Sequence, residues 1–438
     1  MKRQLSDGDA SPSSKGCIDH VDLRVVCLTG EGVTLKVHHA ILGREVQQMV
    51  SDQLPGKPGT KFVLYCMESR LRMHQTLREQ GILGAATLSG ARVATNLYHA
   101  WCLVQGIETS VDDEDALNGV TCLDQAPPGK YLGNLPQTLQ SLTLSDNFNH
   151  SLECVTWPGR LQSFTLGFMF NQTLEGVTLP SSLQDLTFGQ NFNQSLEGAT
   201  LPSSLLSLTF GQCFNQDLEN LRLPASLQTL TFGLRFNRSL DRVTLPISLH
   251  NLEFGHEFNR SLEHVMLPNS LQTLTFGFEF NQSLERVSWP NGLRSLTFGM
   301  MFNQSLEGVA LPSSLQELTF GEHFNQSLDR VTLPPSLQTL TFGRLFNQSL
   351  EGVTLPSRLQ NLTFNDNFNQ SLVGVTFPDR LQALTFGAGF NQDLELVSLP
   401  SNLQSLTFRE EFDQNLEQVI WPNNLQSLVL GGIFLGCG

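Results

Sequence analysis

The sequence has no long apolar run. No stretch approaches the roughly 18 apolar residues that a membrane-spanning helix needs. The first residues, MKRQLSDGDASPSSKG, also lack the apolar core of a secretory signal. We therefore expect a cytoplasmic location, with the nucleus as the alternative, and no membrane partner.

Positive charge is scarce as well. The chain carries 26 Lys and Arg against 41 Asp and Glu, which gives a formal net charge of −15. Nucleic acids and anionic membranes are bound through clustered Lys and Arg, so this balance argues against both partners. The eight cysteines are scattered and form no CxxC pair, which is typical of reduced, mostly buried thiols.

The chain also lacks a catalytic or metal-binding constellation. It has neither a glycine-rich phosphate-binding loop nor a GxSxG nucleophile motif. Of the ten histidines, His256 and His323 have a neighbouring Glu at equivalent repeat positions, three units apart. At about 4.8 Å for each unit, this separation is too large for joint ligation of one metal. We predict no enzymatic activity, no metal and no cofactor.

What the chain does contain is a repeat without an insertion or deletion. Prolines from Pro136 to Pro422 are spaced 22 residues apart. The unit is L-P-S-S-L-Q-x-L-T-F-G-x-x-F-N-Q-S-L-E-x-V-T, and its L-T-F segment alternates as a half-buried strand does. One unit cannot bury its own apolar face, so stacked units must share a core. Residues 135–438 are therefore predicted to form an uninterrupted, right-handed β-solenoid of about 14 units, with the repeat phenylalanines stacked inside.

This pattern resembles the FNIP repeat, a relative of leucine-rich repeats. The resemblance covers residues 135–438 and rests on L-P-x-x-L-x-x-L-x-F-G-x-x-F-N. Phe192 to Ser195 read Phe-Asn-Gln-Ser, where the family name implies Phe-Asn-Ile-Pro. Such families imply binding scaffolds with no shared chemistry. We therefore expect a protein-protein interaction scaffold or adaptor that binds protein partners through the solenoid, and a monomer.

The residue after each repeat phenylalanine is Asn in most units. An Asn side chain in a stacked turn can bond the backbone of the neighbouring coil, which favours a structural ladder. Most of these residues also match the Asn-x-Ser/Thr glycosylation pattern, but the repeat itself accounts for the Asn. We expect a buried, unmodified ladder at Asn149, Asn171, Asn193, Asn215, Asn237, Asn259, Asn281, Asn303, Asn325, Asn347, Asn369 and Asn391.

Two positions between the repeat Gly and Phe vary freely. A constant frame with variable exposed positions is how repeat proteins present a binding face, although neutral drift at solvent positions gives the same variation. Large apolar residues here are candidate partner contacts, and we expect Phe278 and Met300 in particular to be substantially exposed. The candidates are Leu234, Phe278, Met300, Met301 and Leu345.

The predicted strands suggest an alternative function of another class. Their outward positions are often Ser or Thr, as at Thr229 and Thr231, and a regular hydroxyl array would suit an ice- or crystal-surface binder. Asp185, Asn251, Glu253 and Glu317 interrupt the array. The interruptions favour the protein-binding scaffold.

The N-terminal third has a different pattern. Residues 1–18 are polar and are predicted to be a disordered tail. Within 19–94, alternating apolar runs predict a hairpin around Thr29-Gly30, then a helix near 46–54 and a third strand at 61–66. These elements predict a separate small domain.

The order of these elements resembles ubiquitin over residues 20–93. The resemblance implies a ubiquitin-like β-grasp domain, so that the whole chain is α+β. The chain continues past Val93 without a terminal Gly-Gly, so conjugation is not expected. Tyr65 alters the aliphatic patch that ubiquitin receptors bind and is a candidate contact residue. A ubiquitin-pathway adaptor, acting as a substrate-recognition component, is the alternative function.

Residues 95–134 connect the two parts. Asn96 to Gln105 form an amphipathic pattern typical of a short helix, and Leu117 to Thr121 copy the end of a repeat. Solenoid ends need caps. The segment is therefore predicted to contain a capping helix, a degenerate first repeat and a linker.

Overall fold

The computed structural model divides into two units, Met1–Val120 and Thr121–Gly438. Side chains are described for residues 135, 137–153 and 155–431, and backbone alone for 20–27, 32–38, 60–66, 69–70, 86–94, 122–126 and 433–436. No helix occurs among these residues. The predicted tail, both predicted helices and the degenerate repeat lie outside them.

In the first unit, five strands form one sheet. Strands β1 (His20–Cys27) and β2 (Gly32–His38) pair antiparallel and occupy the two alternating runs of the expected hairpin. They are followed by β3 (Thr60–Cys66), β4 (Ser69–Arg70) and β5 (Ala86–Ala94). The strand order is β2-β1-β5-β3-β4, with β1 and β5 parallel and the other pairs antiparallel. The first and last strands therefore lie side by side at the centre of this sheet.

The second unit is a 16-stranded sheet in which spatial order follows chain order. From β7 to β20 each strand begins 22 residues after the one before. The strands are β6 (Cys122–Ala126), β7 (Ser141–Leu144), β8 (Ser163–Thr165), β9 (Asp185–Thr187), β10 (Ser207–Thr209), β11 (Thr229–Thr231), β12 (Asn251–Glu253), β13 (Thr273–Thr275), β14 (Ser295–Thr297), β15 (Glu317–Thr319), β16 (Thr339–Thr341), β17 (Asn361–Thr363), β18 (Ala383–Thr385), β19 (Ser405–Thr407), β20 (Ser427–Leu430) and β21 (Ile433–Gly436). All pairs are parallel except the last, in which β21 returns antiparallel on β20. The predicted β-solenoid is confirmed, with about 13 turns.

Every turn of the solenoid is built in the same way. Its proline begins a tight turn, in which the Leu183 N–H donates to the Pro180 carbonyl oxygen at 3.1 Å. The strand that follows buries its central Leu186 and directs its other side chains outward. A second tight turn is closed by the Phe192 N–H, which donates to the Gly189 carbonyl oxygen at 3.1 Å. The repeat leucines and phenylalanines of the unit thereby reach the same interior.

Two columns of phenylalanine fill that interior. Within one turn, the rings of Phe210 and Phe214 lie 4.1 Å apart, and between turns Phe214 stacks on Phe236 at 6.1 Å with the ring planes 5° apart. Offset stacking at such separations adds to the stabilisation from apolar burial. Phe236 and Phe302 are both fully buried, which confirms the predicted aromatic core.

The repeat glycine is where successive turns approach most closely. A Cβ built on Gly277 would overlap the carbonyl group of Gly255 in the preceding turn, and similar overlaps recur through Gly167–Gly387. Backbone atoms cannot yield as the end of a flexible side chain can. Asn365 and Arg409 interrupt the column, and the Asn365 Nδ2 donates to the Phe342 carbonyl oxygen at 2.7 Å. The spacing of the turns therefore depends on glycine at nearly every step.

Asparagine side chains also link each turn to the next. The Asn281 Oδ1 accepts the backbone N–H of Asn303 at 2.9 Å and the Nε2–H of Gln304 at 3.0 Å. The same two bonds recur along much of the column. At Arg238 and Arg260 the guanidinium donates instead to the backbone carbonyl oxygen of the ladder Asn one turn earlier, Asn215 and Asn237 respectively. The Gln that departs from the family motif thus supplies a second donor to the ladder.

The ladder is only half-buried, so the expectation that it is buried is wrong. Asn281 follows the buried Phe280 and precedes the exposed Ser283, which places it at the boundary of the core. Most of the column is intermediate in exposure, and its exposed members are Asn149, Asn193 and Asn369. Water can therefore reach the ladder from one side.

We predict that Gly277→Ala lowers the free energy of unfolding by at least ~2 kcal/mol, because the added Cβ forces two backbone segments apart. The measurement is the urea midpoint of the full chain. Gly159→Ala is the control, since a Cβ there meets nothing within 4 Å. Its midpoint should stay constant or rise slightly. Equal midpoints for the two variants would contradict the close approach.

We predict that Asn281→Ala costs about 1–2 kcal/mol, because the Asn303 N–H loses its partner. Gln304→Ala should cost less, since it removes only a side-chain donor and leaves the backbone bond intact. Thermal unfolding of both variants makes the comparison. An unchanged melt of Asn281→Ala would show that the ladder contributes no stability.

Candidate binding surface

The variable-turn face consists of the two residues between the repeat Gly and Phe columns, from 168–169 to 410–411. Their backbone is held by bonds between turns: the Met301 N–H donates to the Phe278 carbonyl oxygen, and the Leu345 N–H to that of Glu322, each at 2.8 Å. These bonds use no side-chain atom. Side chains on this face can therefore vary while the backbone beneath them keeps its position.

Large apolar side chains are exposed on this face. The candidates Leu234, Met301 and Leu345 are 39 %, 37 % and 37 % exposed. Phe168 and Met169 are exposed by 42 % and 44 % but were not among the candidates from the sequence. Their position directly after a repeat glycine is the signal that identifies them.

The other two solenoid candidates are less accessible than expected. Phe278 and Met300 are half-buried, so the expectation of substantial exposure is wrong for both. The ring of Phe278 stacks on His256 of the preceding turn, with centroids 4.4 Å apart and planes 7° apart. A neighbouring turn thus covers one side of the ring. Tyr65 belongs to β3, and its side chain is outside the described residues.

Charges of both signs surround the apolar residues of the variable-turn face. Arg344 forms an ion pair with Asp366 at 3.5 Å. The charged residues between the exposed Leu234 and Leu345 are Arg235, Glu257, Glu279, Glu322 and Arg344. Exposed ion pairs contribute little to stability. The charges are therefore available to a partner as polar contacts around apolar anchors.

The repeat carboxylates lie on another edge and are partly paired with arginines of the next turn. The hydrogen bond from Arg242 to Glu219, at 2.8 Å, raises the pKa of Arg242. Similar ion pairs are Arg286–Glu263 at 3.1 Å and Arg330–Glu307 at 3.5 Å. Among the described residues, no group of three or more His, Cys, Asp or Glu could hold a metal ion. This edge is therefore a row of exposed ion pairs and single carboxylates.

The outer face of the sheet carries the hydroxyl array. Successive strands pair in register, as at Thr209 and Thr231, and these side chains are half-buried. Exposed charged residues break the array at three strands: Asp185, Glu253 and Glu317. A flat crystal plane would have to cover these carboxylates, which makes this face poorly suited to it. Within the described residues there is no helix long and apolar enough to cross a membrane.

CroV588 and an internalin are among the solved structures that this chain matches. One is CroV588, described as a novel circular LRR protein, which is 43 % identical with a TM-score of 0.59; the match covers 68 % of this chain and 47 % of that chain. This chain thus spans about half the length of CroV588. The other is an internalin, InlF from Listeria monocytogenes, which is 14 % identical with a TM-score of 0.42, covering 68 % of this chain and 95 % of that one. No curated protein matches the sequence.

The family assignment rests on the repeats themselves. The model of the FNIP Repeat matches six consecutive segments, each close to two turns of the solenoid: 170–213, 214–257, 258–300, 302–345, 346–389 and 390–433. Together these segments include more than half of the chain. The chain therefore belongs to the FNIP repeat family.

Proposed function

We propose that the protein is a non-enzymatic scaffold that binds a protein partner through the variable-turn face. The observation that carries the proposal is the distribution of exposed large apolar side chains. The described residues contain ten of them, and five lie on this face: Phe168, Met169, Leu234, Met301 and Leu345. Two of the 22 repeat positions thus hold half of the exposed large apolar residues, which is the kind of concentration that marks an interface.

Rigidity of the face supports the same function. Because the backbone of each variable pair is bonded to the preceding turn, a partner meets side chains whose positions are already set. Preorganisation of this kind lowers the entropic cost of binding. Variation of the side chains then changes what is bound without changing the frame.

The partner expected for this face is an extended protein segment or a long surface. Leu234 and Leu345 are separated by five turns, or about 24 Å at the usual strand spacing. Between them on this face, Met301 is the exposed large apolar side chain, and charged residues lie on both sides of it. Apolar anchors with a polar surround are the composition of protein-protein interfaces.

The sheet of the first unit supports a further part of the proposal, a ubiquitin-like domain that docks the scaffold to other proteins. Its supports are the β1–β2 hairpin and the parallel pairing of β1 with β5 at the centre of a five-stranded sheet. A domain of this type beside a partner-binding solenoid would suit an adaptor of the ubiquitin pathway. That adaptor role is the second candidate function.

We predict that the double variant Met301→Asp and Leu345→Asp reduces partner capture at least tenfold and leaves the melting temperature nearly unchanged, because both side chains are exposed. The measurement is quantitative mass spectrometry of proteins retained by the full-length bait. Met266→Asp with Ile420→Asp is the matched control, since these residues are 78 % and 83 % exposed but lie off the face.

Two outcomes would contradict the proposed surface. If the control variant loses the same partners, the effect belongs to surface charge in general. If the melting temperature of Met301→Asp with Leu345→Asp falls by more than about 5 °C, the residues stabilise the fold and their effect on capture cannot be assigned to contact.

We predict that residues 18–95, produced alone, unfold in one cooperative transition, because the five strands of the first unit form a sheet of their own. Circular dichroism followed through a thermal ramp provides the measurement. A gradual, non-cooperative change would show that this segment is not an independent domain.

A further inference from the structure

Arginine is the basic residue of the solenoid, and lysine is not used there at all. Residues 131–438 contain 13 arginines and no lysine. Residues 1–130 contain seven arginines and six lysines. Because the first part of the same chain uses both residues freely, a general preference of the chain for arginine does not account for the difference. The lysines are Lys2, Lys15, Lys36, Lys57, Lys61 and Lys130.

Six of the 13 arginines make contacts for which a guanidinium group is well suited. Arg238 and Arg260 donate through Nε to backbone carbonyl oxygens one turn earlier, each at 3.0 Å. The other four form ion pairs with carboxylates of adjacent turns, at 2.8–3.5 Å. The guanidinium presents its N–H donors in a fixed, planar arrangement, which a lysine amine does not. Arginine at these positions therefore has a structural reason.

The remaining seven arginines have no such reason. Their side chains are exposed, and within the described residues none of them forms a hydrogen bond or an ion pair. They occupy five different positions of the 22-residue unit, so one template residue copied through the array does not explain them. A lysine would carry the same charge at each position. The seven are Arg160, Arg222, Arg235, Arg294, Arg358, Arg380 and Arg409.

The chemical difference that remains between the two residues is a nucleophilic amine. The lysine Nζ can attack the thioester that joins the carboxyl end of ubiquitin to an enzyme cysteine. An N–C bond forms, the C–S bond breaks, the thiol leaves, and the nitrogen gives up a proton. A guanidinium stays protonated and is not an acceptor in this transfer. Avoidance of positive charge, or of proteases specific for basic residues, would remove arginine as well, so the pattern indicates exclusion of the amine itself.

We infer that the solenoid works beside an enzyme that transfers ubiquitin to lysines, and that its surface offers this enzyme no acceptor. The inference rests on the ubiquitin-pathway adaptor role proposed above. A protein held on the variable-turn face presents its own lysines and receives ubiquitin, whereas the solenoid that holds it does not. Within the 438 residues, amine side chains are confined to the six lysines that end at Lys130.

The test adds amines at positions where the structure tolerates them. Arg160, Arg222, Arg294, Arg358 and Arg380 are exposed and lie off the variable-turn face. All five are changed to lysine in one variant of the full chain, and to glutamine in the control variant. Both variants should melt within about 3 °C of the parent, because substitutions of exposed, uninvolved side chains have small effects on stability. Both should also retain the partners that the parent captures.

The measurement is ubiquitin transfer in an ATP-supplied eukaryotic extract, with carbonic anhydrase added at the same concentration as a bystander that has exposed lysines. Diglycine remnants on tryptic peptides are quantified by mass spectrometry. We expect the five new lysines to be modified at least tenfold faster, per lysine, than those of carbonic anhydrase. The half-life of this variant should fall at least threefold and be restored by a proteasome inhibitor.

Modification of the new lysines no faster than that of the bystander overturns the inference. So does an equally short half-life of the glutamine variant, since the effect would then follow from lost charge. If the unmodified lysine variant still captures the parent's partners, the scaffold function stands and this inference alone falls. Should the five changes lower the melting temperature, the double variant Arg160→Lys with Arg380→Lys is measured against the same bystander and decides between the same outcomes.

Discussion

Successive turns of the solenoid touch at the glycine column, where the backbone of one turn lies against a carbonyl group of the turn before. This contact sets how closely two turns can approach, and it fixes the point to which the chain comes back after 22 residues. The same period applies to the strand ladder, the phenylalanine stacks and the asparagine bonds, because each depends on the chain coming back to the equivalent position in every turn. One inserted residue would move alternate strand side chains from the core to the solvent, and no unit from β7 to β20 contains one.

The same arrangement restricts the residue type at some positions of the repeat and leaves it free at others. A residue such as Phe280 has the same residue type above and below it, so its size and shape are dictated by two neighbours. Met301 meets the preceding turn through its backbone N–H, a bond that any residue except proline can make. Side-chain chemistry can therefore change on the variable-turn face while the core and the ladders stay constant. The residues of the surface can thus differ from turn to turn without loss of the contacts that stabilise the array.

Much of this architecture could be predicted from the sequence, because a constant period dictates that like residues stack on like. The burial of Phe236 and the solenoid itself follow from that rule. The exposure of Phe278 does not, since it depends on the His256 ring that happens to lie in the preceding turn. The antiparallel pairing of β21 with β20 could not be predicted either, for a different reason. Gly431 occupies the repeat glycine position, so the sequence predicts another ordinary turn there. Local deviations from a repeat are visible only when the neighbouring turn is in place.

Nothing within a stack of identical units limits its length. Each turn packs on the turn before it and exposes an equivalent surface to the turn that follows. Between β7 and β19 that surface is covered by the following turn, and the central leucines are fully buried. The antiparallel β21 prevents a further 22-residue turn from pairing with β20, because such a turn would need the same edge of β20 for a parallel strand. Among the described strands, β21 pairs with β20 alone. At this edge of β20 the reversal therefore replaces the next turn of the repeat with a strand of opposite direction.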